Sequence, residues 1–101
     1  SMSKGYLIAL VKVTNPDEFS KNYGSVVADV FAPFGGRFLV RTPNVTHHEG
    51  RKFDLHVVVE FPSIEKATEA LDSDEYKSIQ DHRTGNIDTE YGSFMLAQGM
   101  S

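Results

Sequence analysis

Cysteine is absent from this chain of 101 residues. That excludes a disulfide framework, a thiolate nucleophile and a cysteine-ligated metal. A reducing compartment is the simplest fit, so a cytoplasmic protein is expected. Basic charge is scarce. Lys and Arg total 10 against 14 acids, the formal net charge is −4, and no basic run of five or more occurs. Nucleic acid is normally met by a clustered basic face, so it is not an expected partner. No apolar run approaches the ~20 residues that span a bilayer, and no signal peptide opens the sequence. Neither a Gly-x-Gly-x-x-Gly turn nor a P-loop is present, which argues against a nucleotide cofactor. No serine lies in a Gly-x-Ser-x-Gly setting. Asn44-Val45-Thr46 fits the glycosylation pattern, which is empty without secretion. Ser1 ahead of Met2 reads as the remnant of a cleaved tag, with residues 1–3 as a tail. Residues 4–99 then form one small domain without repeats or low-complexity segments.

What is present is an ordered series of elements. The segment 5–13, GYLIALVKV, is rich in β-branched and apolar residues and predicts a strand. Asn15, Pro16 and Glu18 then mark a helix start, with Asn15 as cap. Phe19, Tyr23, Val26, Val27, Val30 and Phe31 recur at spacings of three and four, which is one apolar helix face. Pro33 shortens that helix, and Gly35-Gly36 end it. RFLVRT (37–42) predicts a second strand. Residues 43–52 are polar and turn-rich, a long and mobile hairpin loop. FDLHVVVEF (53–61) predicts a third strand. Pro62 and Ser63 open a second helix, which breaks near Asp72, where Ser73 caps again ahead of Asp74 and Glu75. TEYGSFMLAQ (89–98) predicts the fourth strand. The order β-α-β-β-α-β packs most simply as an α+β, ferredoxin-like domain, a four-stranded antiparallel sheet with both helices on one face. Strands one and three fall in the centre.

Alternation assigns the faces. Leu7, Ala9, Val11 and Val13, Phe38 and Val40, and Leu55, Val57, Val59 and Phe61 belong under the helices. The open face takes Tyr6, Ile8, Leu10 and Lys12, then Arg37, Leu39 and Arg41, then Asp54, His56, Val58 and Glu60. From the fourth strand it takes Phe94 or Met95. Tyr6, Ile8, Leu10, Leu39 and Val58 make a patch too apolar to be left in water. A second copy of the sheet is its expected cover, giving a homodimeric α/β barrel. On the same face one permitted register sets Arg37 opposite Glu60 and Arg41 opposite His56. A third strand running parallel to the first brings Lys12 towards Glu60.

The segments KGYLIA (4–9), FGGRFLVR (34–41), Glu49-Gly50, EFPS (60–63), SDEY (73–76) and Arg83, in this order, resemble the bacterial family known as domain of unknown function 1330. The resemblance implies a dimeric α/β-barrel protein. It points to Arg37, Arg41, Glu60, Tyr76 and Arg83 as the positions matching the family pattern. The wider superfamily includes cofactor-free monooxygenases, chlorite-dismutase-like haem proteins and muconolactone isomerases, and carrying any of those activities across is fold-level analogy. Ala70-Leu71 stands where the family often has an aromatic pair. If that aromatic lines a pocket, the ligand here differs.

Candidate chemistry is sparse. His47-His48-Glu49 sits in a loop without converging ligands, so no metal is expected. His56, near Glu60, is a candidate general base and Tyr76 a second candidate for proton transfer. His82 and Arg83 close a helix and suit its dipole, but arginine also offers a planar fork for a carboxylate. Two readings follow. One is a dimer that binds a small acidic organic ligand through Arg37, Arg41, Glu60 or Arg83, without a cofactor or membrane. The other is a cofactor-free enzyme, monooxygenase- or isomerase-like, acting on a small organic acid. A closed pocket at the sheet–helix junction holding His56 and an arginine favours the enzyme.

Overall fold

A computed structural model describes residues 3–101. The expected tag remnant at residues 1 and 2 lies outside the described residues. Strand β1 spans Gly5–Val11. A broken helical segment follows: α1 (Pro16–Phe19), a π turn over Ser20–Gly24, α2 (Val27–Phe31) and a 3₁₀ turn over Ala32–Phe34. Strands β2 (Arg37–Thr42) and β3 (Leu55–Phe61), helices α3 (Ile64–Asp72) and α4 (Asp74–Thr84), and strand β4 (Ser93–Gln98) complete the chain. The four strands lie in the order β2-β3-β1-β4, all neighbours antiparallel.

Local chemistry explains most boundaries. Pro33 admits only a 3₁₀ turn after Phe31, and Gly35 reverses the chain at φ 79°, a left-handed value that glycine adopts without Cβ strain. Ser63 and Ser73 each cap a helix, their hydroxyls accepting the amides of Lys66 and Tyr76. Asn15 does not cap as expected. Its side chain makes no cap bond, while Glu18 accepts from Asn22 instead of closing a capping box. The fourth strand starts late, at Ser93, because Asp88 Oδ1 folds residues 88–91 into a turn by accepting the amides of Glu90 and Tyr91. Gly92 then passes the Leu10 carbonyl too closely for a Cβ.

The core lies between sheet and helices. Leu7, Ala9, Val11, Val59 and Phe61 from the sheet meet Phe19, Tyr23, Val27, Phe31, Ala67, Ala70 and Tyr76 from the helices. Ala70 packs in this core rather than on a pocket wall.

Two sheet expectations require correction. Strand β3 runs antiparallel to β1, not parallel. The helical crossover makes β1 and β2 parallel, and the β2–β3 hairpin then reverses β3. Tyr6, not Lys12, therefore stands opposite Glu60. Lys12 pairs with Asp54 at 3.8 Å. In β2 the register shifts between Phe38 and Val40. This bulge at Leu39 inserts one residue and exchanges the faces beyond it. Val40 moves to the open face opposite Val58, and Arg41 moves under the helices opposite Val57. Thr42, not Arg41, faces His56.

Candidate functional site

A cavity of about 320 Å³ lies between the sheet and the helices, with Phe19, Phe31, Phe38 and Phe94 among its walls. Three elements bring polar groups to it. The π turn, closed by the Ser25 amide on the Ser20 carbonyl at 2.9 Å, sets Tyr23 on the wall. Such insertions widen a helix by one residue and re-aim its side chains. Helix α4 carries Tyr76 and Arg83, seven residues and two turns apart, so both lie on one face. The bulge in β2 delivers Arg41.

The groups are connected. Arg83 Nε donates to the Tyr76 hydroxyl at 3.0 Å, and the Tyr76 and Tyr23 hydroxyls share a hydrogen bond of 2.9 Å. Tyr76 is 2% exposed and sits behind the wall. The Arg83 guanidinium lies 3.8 Å over the Phe94 ring, a cation–π contact that fixes its plane. Arg41 donates to the Gly24 carbonyl at the end of the π turn and lies 5.0 Å from the Phe38 ring centre. Neither guanidinium has a carboxylate at ion-pair distance among the described residues. Burial pushes the Tyr23 phenol well above the ordinary tyrosine range, with Tyr76 adding to the shift and Arg83 and Arg41 opposing it. Tyr23 therefore stays a neutral donor at ordinary pH.

The remaining candidates lie elsewhere. Arg37 and Glu60 form an ion pair at 3.1 Å on the open face, where the Tyr6 hydroxyl also donates to Glu60 at 3.1 Å. The Arg37 hydrogen bond, more than the Tyr6 bond, holds Glu60 below the usual carboxylate range. Burial and the Glu60 contact raise Tyr6. His56 also faces away from the cavity, its Nδ1 2.9 Å from the Thr42 carbonyl oxygen. His56 and the arginines of the cavity are thus on opposite sides of the sheet, and the condition set for the enzyme reading is half met. His82 is exposed on the neighbouring position of α4, while Arg83 points inward. In the loop, His47 Nε2 lies 3.1 Å from the Gly50 carbonyl oxygen.

Tyr23 escaped the sequence reading, which treated it as one more member of an apolar helix face. A signal was available: a tyrosine among phenylalanines and valines on a buried face must find a partner for its hydroxyl.

The fold is that of a ferredoxin-like α+β protein, with a four-stranded antiparallel sheet and helices enclosing a cavity. The chain belongs to the family described as domain of unknown function (DUF1330), whose model matches residues 4–99. Among solved structures it is similar to the RPA0582 protein of unknown function from Rhodopseudomonas palustris, with a TM-score of 0.77 and 18% identity, over 100% of this chain and 85% of that one. It is similar to SnoaB, a cofactor-independent oxygenase from Streptomyces nogalater, with a TM-score of 0.62 and 15% identity, over 100% and 96% of the two chains. A dimeric protein of unknown function and ferredoxin-like fold from Bacteroides fragilis matches with a TM-score of 0.54 and 8% identity, over 94% and 95%. No curated protein matches the chain. At these identities the likeness is one of fold.

Proposed function

We propose that the protein is a homodimer that binds a small acidic organic ligand in the cavity between sheet and helices. The observation that carries this reading is Arg83. It is half-buried against Phe94, with Nε engaged by Tyr76 and no carboxylate partner among the described residues. Its two terminal nitrogens are left for an end-on, bidentate carboxylate. Arg41 adds a second positive charge at the wall, and the aromatic rings suit an apolar ligand body.

The cofactor-free enzyme remains the second reading, favoured by the likeness to SnoaB. The polar groups on the wall support binding more strongly than proton abstraction. They include two guanidiniums, which only donate, a neutral phenol, and the hydroxyls of Thr84, Thr89 and Ser93. Asp88 is the acid on the rim among the described residues, and its Oδ1 is engaged by two backbone amides.

The test is a thermal-shift screen of small aromatic and aliphatic carboxylates. At least one should raise the melting temperature of the parent, and Arg83→Met should abolish that rise. A ligand response that survives Arg83→Met would overturn the proposed site.

The homodimer is proposed to form through the open face. Its central row runs Val40–Val58–Ile8–Met95 across all four strands, and Val40 and Met95 are 40% and 45% exposed in the single chain. Such a continuous apolar row is suited to a second copy of the same sheet.

A further inference from the structure

We infer that Tyr23 reads a second oxygen of the ligand, so that the cavity selects carboxylates bearing an acceptor oxygen on the carbon next to the carboxyl group, the 2-oxo and 2-hydroxy acids. This rests on the proposed binding of an acid at Arg83.

The argument is one of hydrogen-bond direction. Arg83 Nε can only donate, so the Tyr76 oxygen accepts from it. A tyrosine hydroxyl has one proton of its own to place. The Tyr23 hydroxyl is the only other group bonded to that of Tyr76 among the described residues. If Tyr23 donated to Tyr76, the Tyr76 proton would have no acceptor at a site only 2% exposed. An unsatisfied buried donor is costly. The favoured polarity therefore runs one way, from Arg83 to Tyr76 to Tyr23. Tyr23 accepts from Tyr76, and its own proton is left for the cavity it lines.

Arg83 Nε and the Tyr23 hydroxyl each lie within 3.0 Å of the same Tyr76 oxygen. The two donors are thus close enough for one small ligand to meet both. A carboxylate on the terminal nitrogens of Arg83 places the oxygen of the adjacent carbon towards Tyr23. A plain acid fills the same cavity but leaves the Tyr23 proton without an acceptor. Tyr76 touches no ligand and acts as a positioning residue.

Phenylglyoxylate and phenylacetate differ in the 2-oxo oxygen and closely match in size. Titration calorimetry on the parent should give about five- to tenfold tighter binding of phenylglyoxylate, the range of one hydrogen bond to a neutral donor. Tyr23→Phe should lose this preference, so that the two acids bind the variant with about equal affinity. Tyr76→Phe, which leaves the wall intact, should weaken the preference, because the Tyr23 hydroxyl then loses the bond that holds it in place. It serves as the second variant if Tyr23→Phe does not fold. A parent that binds both acids equally, or a preference that persists in Tyr23→Phe, would overturn the role of Tyr23 and leave the Arg83 site standing. If neither acid binds the parent, both proposals fall.

Discussion

Arg83 closes α4 together with His82, and the helix dipole alone accounts for two bases in a last turn. What separates them is direction. His82 is exposed, whereas Arg83 stacks on Phe94 and bonds Tyr76. The arginine at 83 therefore has contacts that a capping charge does not require. Arg37 illustrates the opposite case. It is engaged by Glu60 and its side chain is 72% exposed, which is the pattern of a cross-strand ion pair. Because Glu60 titrates below its ordinary range, the stability it contributes is present above the ordinary glutamate pKa. It is lost as pH falls through the lowered value. Glu60→Gln should accordingly flatten the acid limb of the stability–pH curve, measured by urea unfolding between neutral pH and the acid transition. A curve unchanged by the substitution would show that the pair has no net effect on folding.

The elements were readable from the sequence where chemistry is local. The serine caps, Pro33 and the hydrophobic periods all act within one turn, and each set a boundary close to the one expected. Ser73 divides the second helical region because its hydroxyl satisfies the Tyr76 amide. Ser73→Ala should cost about 1 kcal/mol of stability, and a chemical-denaturation curve superimposable on the parent's would contradict this. Two elements were not legible. The bulge at Leu39 lies in a run, Phe38-Leu39-Val40, that is apolar at every position, so alternation cannot show where a residue is inserted. That one residue transfers Arg41 from the open face to the cavity. The π turn is equally silent, since Phe19, Tyr23, Val27 and Phe31 keep a helical spacing across it. The direction of β3 was legible, because a crossover followed by a hairpin requires it to oppose β1. The expected Lys12–Glu60 approach contradicted that rule.

At the scale of the whole molecule the sheet separates two kinds of surface. One face, with the helices, encloses a cavity whose charged groups are the guanidiniums of Arg41 and Arg83, with Asp88 on the rim. The other carries an apolar row flanked by the polar row Arg37–Glu60–Tyr6 and by the row Thr42–His56–Leu10–Ser93, polar except at Leu10. Covering the second face with a copy of itself would leave the cavity on the outer side of each sheet. Light scattering at micromolar concentration should give the mass of a dimer for the parent and of a monomer for Leu10→Glu, which would bury like charges near one another. A monomeric parent would rule out this assembly. The central claim is that an acidic ligand is held in the cavity by Arg83 rather than on the open face by Arg37. It is tested most directly by calorimetric titration of one carboxylate, taken from the thermal-shift screen, into the parent, Arg83→Met and Arg37→Met. The account predicts at least a tenfold loss of affinity in Arg83→Met, the scale of a charged hydrogen bond, and an unchanged affinity in Arg37→Met. Loss of binding in Arg37→Met with full affinity in Arg83→Met would contradict it and move the site to the other side of the sheet.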